Sequence, residues 1–173
     1  MARDLGAGWL QLDTLWTAMK AAVDHDPSAF SVLDVAERMR RGGDSDSEML
    51  AALVAAAEGV CAVLPEVFAC ELETHPVLMA DGAWLLPSFI AGLQLPDTEV
   101  SAVFLQHADV DAIATALASR LDGPPQERHL RMNRQICQYG AWLGEQATAC
   151  DLPVLDPLPF STLIDRARAT LVI

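Results

Sequence analysis

Short apolar runs of strand length alternate along this chain with longer segments in which apolar residues recur every three to four positions. The strand-like runs are WLQLD, which ends at Asp13, then PVLMADGAWLLP, VSAVFLQH and DLPVLD. Because helical segments separate these runs, successive strands are joined by crossover connections, which favour parallel pairing. The pattern predicts an α/β fold of three layers, α/β/α, around a parallel sheet.

The longest predicted helix covers about residues 47–73. Its apolar residues keep close to a 3.6-residue period, Ser45 or Ser47 supplies its cap, and Pro65 predicts a kink. Before it, VLDVAERMRR predicts a short helix that ends at Gly42, because glycine is a usual helix stop. A further helix is expected directly after the first strand.

Three more helices are predicted in the carboxyl-terminal half, from the segments DVDAIATALASRLDG, RHLRMNRQICQYGAWLGEQATAC and PFSTLIDRARATL. The chain has 173 residues, of which 52% are hydrophobic. That length suffices for one compact domain with a real core, so we expect residues 1–173 to form a single domain. At its start, ARDLG is typical of the last turn of a helix ending at Gly6, so the chain is expected to begin inside an element.

The negative net charge of the chain limits which kinds of partner it is expected to bind. A net charge of −13 repels polyanions, so we expect no binding to nucleic acid or to a membrane. The four cysteines have no C-x-x-C spacing, which favours buried, reduced thiols over a zinc site or disulfides. No signal peptide and no apolar stretch of about 18 residues is found. These features favour a cytoplasmic protein.

Polar residues at the ends of the predicted strands are the first candidates for chemistry, because ligands of parallel α/β sheets bind beyond the carboxyl ends of the strands. Asp13 is the strongest of them, since it follows an apolar strand and could accept a proton from a substrate hydroxyl. Asp81, His107 and Asp156 end the other strands. For these three, a turn or capping role is the alternative.

Arginines form a second group of candidates. Arg120, Arg128, Arg131 and Arg134 bracket the DGPPQE break and could clamp phosphate oxygens, although a solvated helix face paired with acids is the alternative. A smaller cluster includes Arg38 and Arg41. It could contact an anionic acceptor, or serve as the basic end of a helix.

Several nucleotide-binding and catalytic motifs are missing from the sequence. It contains no G-x-x-x-x-G-K-[ST], G-x-G-x-x-G, H-E-x-x-H or G-x-S-x-G. No loop of this chain is therefore expected to cradle the β- and γ-phosphates of a nucleotide in the usual way.

The order of the segments resembles the small-molecule kinases of the P-loop superfamily, which include shikimate and adenylate kinases, chloramphenicol phosphotransferase and 2-phosphoglycerate kinase-like proteins. ARDLGAGWLQLDTLW is similar to the end of the helix behind the phosphate loop and the strand after it. PVLMADGAWLLP and VSAVFLQHADVDAIATALASRL resemble the next strands, RLDGPPQERHLRMNRQICQYGAWL the lid, and DLPVLDPLPFSTLIDRARATL the last strand, the adenine-side loop and the final helix. The similarity spans nearly the whole chain.

The resemblance implies ATP and magnesium as cofactors and a small hydroxyl-bearing molecule as the acceptor. It makes Asp13 the residue that binds or deprotonates the acceptor, and it puts Asp81 at the acceptor pocket or near magnesium. It assigns the binding of the transferred phosphoryl group to Arg120, Arg128 and Arg131. It assigns the binding of the cofactor to Arg134, Asp156 and Pro157. Binding of the acceptor falls to Arg38 and Arg41.

The chain departs from these kinases in lacking their first strand and phosphate loop, and that strand normally lies in the middle of the sheet. We therefore expect an amino-terminally incomplete kinase-like domain with a lid over residues 120–134. One expected function is an ATP-dependent phosphotransferase, impaired in this chain, that acts on a small metabolite or antibiotic. The alternative is a non-catalytic α/β module that acts by binding or self-association, as a homodimer that completes its own sheet. A helical regulatory domain would require PVLMADG and VSAVFLQ to be helical.

Overall fold

Helices and parallel strands alternate along this chain, which confirms the predicted α/β class. The structure is a computed structural model that describes residues 6–23, 35–107, 109, 111–112 and 127–171. Two compact units are present. The first contains residues up to Asp34 together with Val54–Val100, and the second contains Val35–Leu53 together with Ser101–Ile173.

The described elements follow one another in this order: β1 (Gly8–Gln11), α1 (Leu12–Val23), α2 (Val35–Arg41), α3 (Asp46–Cys61), α4 (Leu64–Leu72), β2 (Leu78–Asp81), α5 (Pro87–Gly92), β3 (Phe104–Leu105), α6 (Glu127–Ala149), β4 (Val154–Leu155) and α7 (Phe160–Leu171).

The first unit contains the parallel pair of β1 and β2. Its register runs from Gly8 opposite Leu78 to Gln11 opposite Asp81. The chain then turns at Gly82, whose φ of +147° suits glycine. A Cβ atom at Gly82 would lie 2.8 Å from the Cβ of Leu12, so the turn after β2 packs directly on the start of α1.

The core of the first unit is built mainly from α4, from the second half of α3 and from the segment after β2. Most of its buried side chains are aliphatic or aromatic, as expected for a core closed by burial of apolar area. They are Leu12, Ala56, Ala57, Val60, Cys61, Leu64, Phe68, Trp84, Leu86 and Ile90.

The second unit contains the parallel pair of β3 and β4, with Phe104 opposite Val154 and Leu105 opposite Leu155. Helix α6 contacts both strands, and α2 also packs on it. The buried side chains of this unit include two polar residues, Asn133 and Gln135. The apolar ones are Val35, Met39, Met49, Ala52, Leu53, Cys137, Tyr139, Ala147 and Ala167.

The predicted helix signals at the start of the second unit are confirmed. Helix α2 ends at Arg41, and Gly42, with φ of +69°, donates its N–H to the carbonyl of Arg38. Of the two serines considered as the next cap, Ser45 fills the role. Its Oγ accepts the N–H of Glu48 at 3.3 Å, and the Glu48 carboxylate accepts the N–H of Ser45 at 2.8 Å. This reciprocal pair is a capping box.

Other boundaries differ from the prediction. The helix expected over residues 47–73 is two helices, α3 and α4, that meet at a 40° bend, so the kink predicted from Pro65 is confirmed and is a full break. The break lies at Ala62 and Val63, just before Pro65, because a proline is tolerated in the first turn of a new helix but not inside one. The helix α5 was not predicted, since its six residues are too few to show a period.

The strands are shorter than the apolar runs that predicted them. β1 ends at Gln11, so Asp13 lies in the first turn of α1 and not at the end of the strand. The run VSAVFLQH contains only the two paired residues of β3. The four strands in the described part of the chain form two two-stranded sheets. A single sheet between helix layers, in a single domain of residues 1–173, stays a prediction.

Two further expectations concern segments that the structure describes only partly. Residues 1–5, including most of ARDLG, lie outside the described residues, as do Val110 and residues 113–123 of the helix expected in DVDAIATALASRLDG. At its start, Asp109 Oδ1 accepts the N–H groups of Asp111 and Ala112, as in a helix cap. Among the described helices, none is by itself long and apolar enough to cross a membrane; α3 and α4 meet that criterion only when taken together across their bend.

Candidate functional site

Two of the predicted candidates lie at the carboxyl edge of the β1 and β2 pair. Asp81 is the last residue of β2, opposite Gln11. Asp13 follows Gln11 by two residues, in the first turn of α1, where an acidic side chain also stabilises the helix. Both aspartates are exposed. The parallel register therefore brings the strongest sequence candidate and a second carboxylate to the same edge.

Each of these carboxylates accepts a hydrogen bond from a tryptophan indole. Trp84 Nε1 donates to Asp13 Oδ1 at 2.8 Å, and Trp9 Nε1 donates to Asp81 Oδ1 at 2.5 Å. The two indoles differ in burial, since Trp84 is 7% exposed and Trp9 is 64% exposed. Asp13 is thus held by a side chain that belongs to the core of the first unit.

Trp84 is fixed by contacts on more than one side. Its ring stacks on that of Trp16, with 5.1 Å between the ring centroids and 19° between the planes. The backbone carbonyl of Trp84 accepts the thiol of Cys61 at 3.3 Å. On Trp16, the Lys20 ammonium lies 5.8 Å from the ring centroid, within cation–π range. The stacked rings of Trp16 and Trp84, with the Lys20 ammonium near Trp16, therefore lie beside Asp13.

A carboxylate with one oxygen bound to a fixed donor can still use its other oxygen. The arrangement can therefore orient a substrate hydroxyl or accept its proton, as general-base chemistry requires. Sequence reasoning missed both tryptophans. The available signal was that a buried indole N–H needs an acceptor, and that AWLLP directly follows the Asp-Gly turn.

The carboxyl edge of the β3 and β4 pair holds the other two strand-end candidates. His107 Nδ1 lies 3.3 Å from Asp156 Oδ1, at ion-pair distance. The N–H of Leu158 donates to Asp156 Oδ1 at 2.8 Å. This backbone hydrogen bond, followed by the charge of His107, holds the pKa of Asp156 below its usual value. Pro157, next to it, is half-buried.

The imidazole of His107 is more enclosed than a loop or capping residue would be. Its side chain is only 15% exposed. Both ring nitrogens are buried, and neither makes a well-aligned hydrogen bond within the part of the chain that the structure describes. The ion-pair distance to Asp156 therefore reflects proximity without hydrogen-bond geometry. Sequence reasoning named both residues, and the pairing of their strands brings them together.

Two arginines of the expected lid, Arg131 and Arg134, lie on α6 in the second unit. Arg131 packs its guanidinium on Gly42, where an added Cβ would lie 2.6 Å from Nη2. Its Nε is buried and has no hydrogen-bond partner among the described residues. Arg134 is exposed on the same helix, α6. Arg128 is also on α6, but its side chain lies outside the described residues, and so does the whole of Arg120.

The arginines of the smaller cluster are already engaged with carboxylates. Arg38 makes two hydrogen bonds to Asp44, each of 3.2 Å, and the Asp44 carboxylate raises the pKa of Arg38. Arg41 pairs with Glu37 at 3.1 Å. An anionic acceptor would have to compete with these acids, so the geometry favours the alternative of a basic helix end for Arg38 and Arg41.

Neither of two open clefts coincides with the candidate residues. One, of about 330 Å³, is lined by Asp46, Ser47, Leu50, Gln138, Ala141, Trp142 and Glu145. The other, of about 430 Å³, is lined by Ala69, Leu72, Glu73, Pro76, Leu95, Pro96, Asp97 and Thr98. Among the described residues, no three His, Cys, Asp or Glu side chains are grouped so that they could hold a metal ion. A magnesium ion at a phosphotransferase site does not require three such side chains, since it is bound through one or two carboxylates and the substrate phosphates.

The geometry is therefore a pair of tryptophan-bound carboxylates at one strand edge and a histidine–aspartate contact at another. Comparisons of this chain with protein-family models, with curated proteins and with solved structures find no match.

Proposed function

We propose that this chain carries the acceptor-binding part of an ATP-dependent phosphotransferase of the P-loop kinase type, which acts on a small hydroxyl-bearing metabolite or antibiotic. By itself the chain would be impaired, because its sequence contains no phosphate-binding loop. The observation that carries the proposal is that the parallel register of β1 and β2 brings Asp13 and Asp81 to one strand edge, where each carboxylate accepts an indole N–H.

The P-loop kinases, which the sequence resembles, carry their phosphate loop directly after a central strand of the sheet. In this proposal one added segment would supply both that strand and that loop, and the three-layer α/β/α arrangement is part of the same proposal.

The chemistry of phosphoryl transfer makes few demands on the protein beyond positioning and charge neutralisation. Asp13 would accept the proton of the acceptor hydroxyl, and Asp81, at the same edge, would hold the acceptor or the magnesium ion. Arg120, Arg128 and Arg131 would neutralise the transferred group, with Arg134, Asp156 and Pro157 on the nucleotide side. Arg38 and Arg41 would reach the acceptor only after leaving their carboxylate partners.

The described residues fit ATP only in part. Carboxylates and arginines of the proposed roles are present, but the backbone cradle for the β- and γ-phosphates is missing from the sequence. Any nucleotide affinity would therefore depend on the added segment.

The test begins with the genomic DNA upstream of the Met1 codon. An in-frame apolar strand followed by G-x-x-x-x-G-K-[ST] is expected. The protein that includes this upstream segment, called the extended chain below, should bind a non-hydrolysable ATP analogue saturably in calorimetry. Residues 1–173 alone are the matched control and should show no saturable binding. Asp13→Asn in the extended chain should keep analogue binding and lose about 10²-fold or more in phosphoryl transfer. A stop codon, or an extended chain without binding, would contradict the proposal.

A second candidate function is a non-catalytic module that completes its sheets by association with another copy. The exposure of large apolar side chains on short strands favours it, since Trp9 on β1 is 64% exposed and Leu105 on β3 is 50% exposed. A homodimer would give a concentration-dependent mass in sedimentation equilibrium without any nucleotide binding. A monomer at all concentrations, together with binding by the extended chain, would exclude it.

A further inference from the structure

We infer that Trp84 is the positioning residue of the proposed phosphotransferase: its indole N–H fixes Asp13 Oδ1 and leaves Oδ2 as the oxygen that receives the acceptor's proton. The inference rests on the proposed function. It assigns a task to a residue that neither the sequence motifs nor the resemblance singled out.

Asp13 needs such a partner because its own surroundings leave it free to move. It is exposed in the first turn of α1. Thr17 bonds to the backbone carbonyl of Asp13 at 2.7 Å and therefore does not restrain the carboxylate. Within the described part of the chain, the 2.8 Å bond from Trp84 is the hydrogen bond made by this carboxylate. Without it, the side chain could rotate among its staggered conformers.

Trp84 is suited to the task because packing holds its indole in one position. It is 7% exposed, stacked on Trp16 and bonded through its carbonyl to Cys61. A donor held in this way keeps one direction in space, so it selects one orientation of the carboxylate. Preorganised groups of this kind need no rearrangement when the reaction occurs.

The backbone explains why Trp84 reaches Asp13 across 71 residues of sequence. The turn at Gly82 passes so close to α1 that a Cβ there would lie 2.8 Å from the Leu12 side chain. Trp84 follows this turn by two residues, and Asp13 follows Leu12 by one. The close approach permitted by glycine therefore places the donor and the carboxylate next to each other.

The proton transfer itself is simple. As the acceptor oxygen formed its bond to the γ-phosphorus of ATP, the bond from that phosphorus to the β–γ bridging oxygen would break and ADP would leave with the electron pair, while the acceptor's O–H bond would break and its proton would pass to Asp13 Oδ2. The indole N–H stays on Trp84 throughout. Small errors in the position of such a group are costly, and a misplacement of about 1 Å can lower the rate about 10²-fold.

The hydrogen bond can be tested without any enzyme activity. In the ¹⁵N-labelled chain, the indole N–H resonance of Trp84, assigned with Trp84→Phe, should shift upfield in Asp13→Ala while the Trp9 resonance stays in place. Asp81→Ala is the matched control and should shift the Trp9 resonance only. A Trp84 resonance that does not respond to Asp13→Ala would overturn the inference, whatever the function of the protein.

The positioning role is tested in the extended, active chain. Trp84→Phe keeps an aromatic ring in the stack and removes the donor, so kcat for phosphoryl transfer should fall by about 10- to 100-fold with the acceptor KM within about twofold. Trp142→Phe, in the second unit, makes the same chemical change to a ring stacked on Tyr139 and should leave kcat within about twofold.

The outcomes of these experiments distinguish the positioning role of Trp84 from the proposed function of the protein. An unchanged kcat in Trp84→Phe, with transfer intact, would overturn the positioning role and keep the proposed function. An extended wild-type chain without any transfer would overturn the proposed function and with it the role of Trp84 in proton transfer, while the resonance shift would still decide the hydrogen bond.

Discussion

At the scale of single residues, the buried indole of Trp84 and the exposed indole of Trp9 make the same kind of hydrogen bond with different consequences for stability. The indole of Trp84 is in the core, and leaving its N–H without an acceptor would cost roughly 1–3 kcal/mol. Its hydrogen bond to the carboxylate of Asp13 avoids that cost. Trp9 bonds to Asp81 in the same way from an exposed position, where water is an alternative partner and the bond matters less to stability.

Burial also sets the reactivity of the thiols. It raises the pKa of Cys61, and burial followed by the charge of Asp109 raises the pKa of Cys137. Cys70 is exposed. Because the thiolate is the reactive form, iodoacetamide at pH 8 should modify Cys70 at least about tenfold faster than Cys61 or Cys137. Peptide mass spectrometry over a time course measures the three rates, and equal rates would show that both buried thiols are accessible.

The carboxylate of Asp156 predicts a pH dependence of stability. Its pKa is lowered in the folded protein, chiefly by the N–H of Leu158, from an ordinary value of 3.8. A lowered pKa contributes stability that is present above the unfolded value and is lost as the pH falls through the folded value. Asp156→Asn should therefore lower the urea midpoint at pH 7, and the difference from the wild type should narrow below pH 3.8.

The control for this pH series is Asp165→Asn, which changes an exposed aspartate on α7. Its urea midpoint should stay close to that of the wild type across the same range. A constant gap between Asp156→Asn and the wild type from pH 7 down to the acid transition would contradict the assignment.

At the scale of elements, local signals placed the ends of helices well and the ends of strands poorly. Each helix end is set by a residue that acts within one helical turn, so a short stretch of sequence is enough to predict it. The examples are Gly42 after α2, the serine cap of α3 and the proline at the start of α4. Strand ends depend on a partner strand, which lies 70 residues away for Gly8 and Leu78. An apolar run such as VSAVFLQH cannot indicate how many of its residues will be paired.

The capping box at the start of α3 makes a prediction for that element. Ser45→Ala removes the side-chain acceptor of the Glu48 N–H and should lower the free energy of unfolding by about 1 kcal/mol. Ser47→Ala is the matched control, because Ser47 was the other serine considered and lies inside the helix. It should have the smaller effect in urea denaturation. Equal losses in the two variants would show that the cap does not stabilise the helix.

The same serine lowers the pKa of Glu48 through hydrogen bonds from its hydroxyl and its backbone N–H. The stability contributed by this carboxylate is therefore present at neutral pH and declines in acid. The deficit of Ser45→Ala should accordingly be larger at pH 7 than at pH 3, a difference that the same urea measurements detect.

At the scale of the whole molecule, charge is the dominant feature. With 24 acidic residues against 11 basic ones, self-repulsion opposes the compact state. Raising NaCl from 20 mM to 500 mM shortens the Debye length from about 20 Å to about 4 Å and should raise the urea midpoint. Sucrose at equal osmolality separates charge screening from solute exclusion. A lower midpoint in salt would mean that attractive ion pairs, such as that of Arg38 and Asp44, outweigh the repulsion.

The sequence by itself determined the alternation of helices and strands, the caps and stops of the helices, and the candidates Asp13, Asp81, His107 and Asp156. These features follow from periodicity and from side chains that act within a few residues. Only the tertiary structure decided which strands pair, that Trp84 and Trp9 bind the two aspartates, and that Arg38 and Arg41 are already paired with acids. The physical reason is that such contacts join residues that chain order leaves far apart, and packing alone selects the partner.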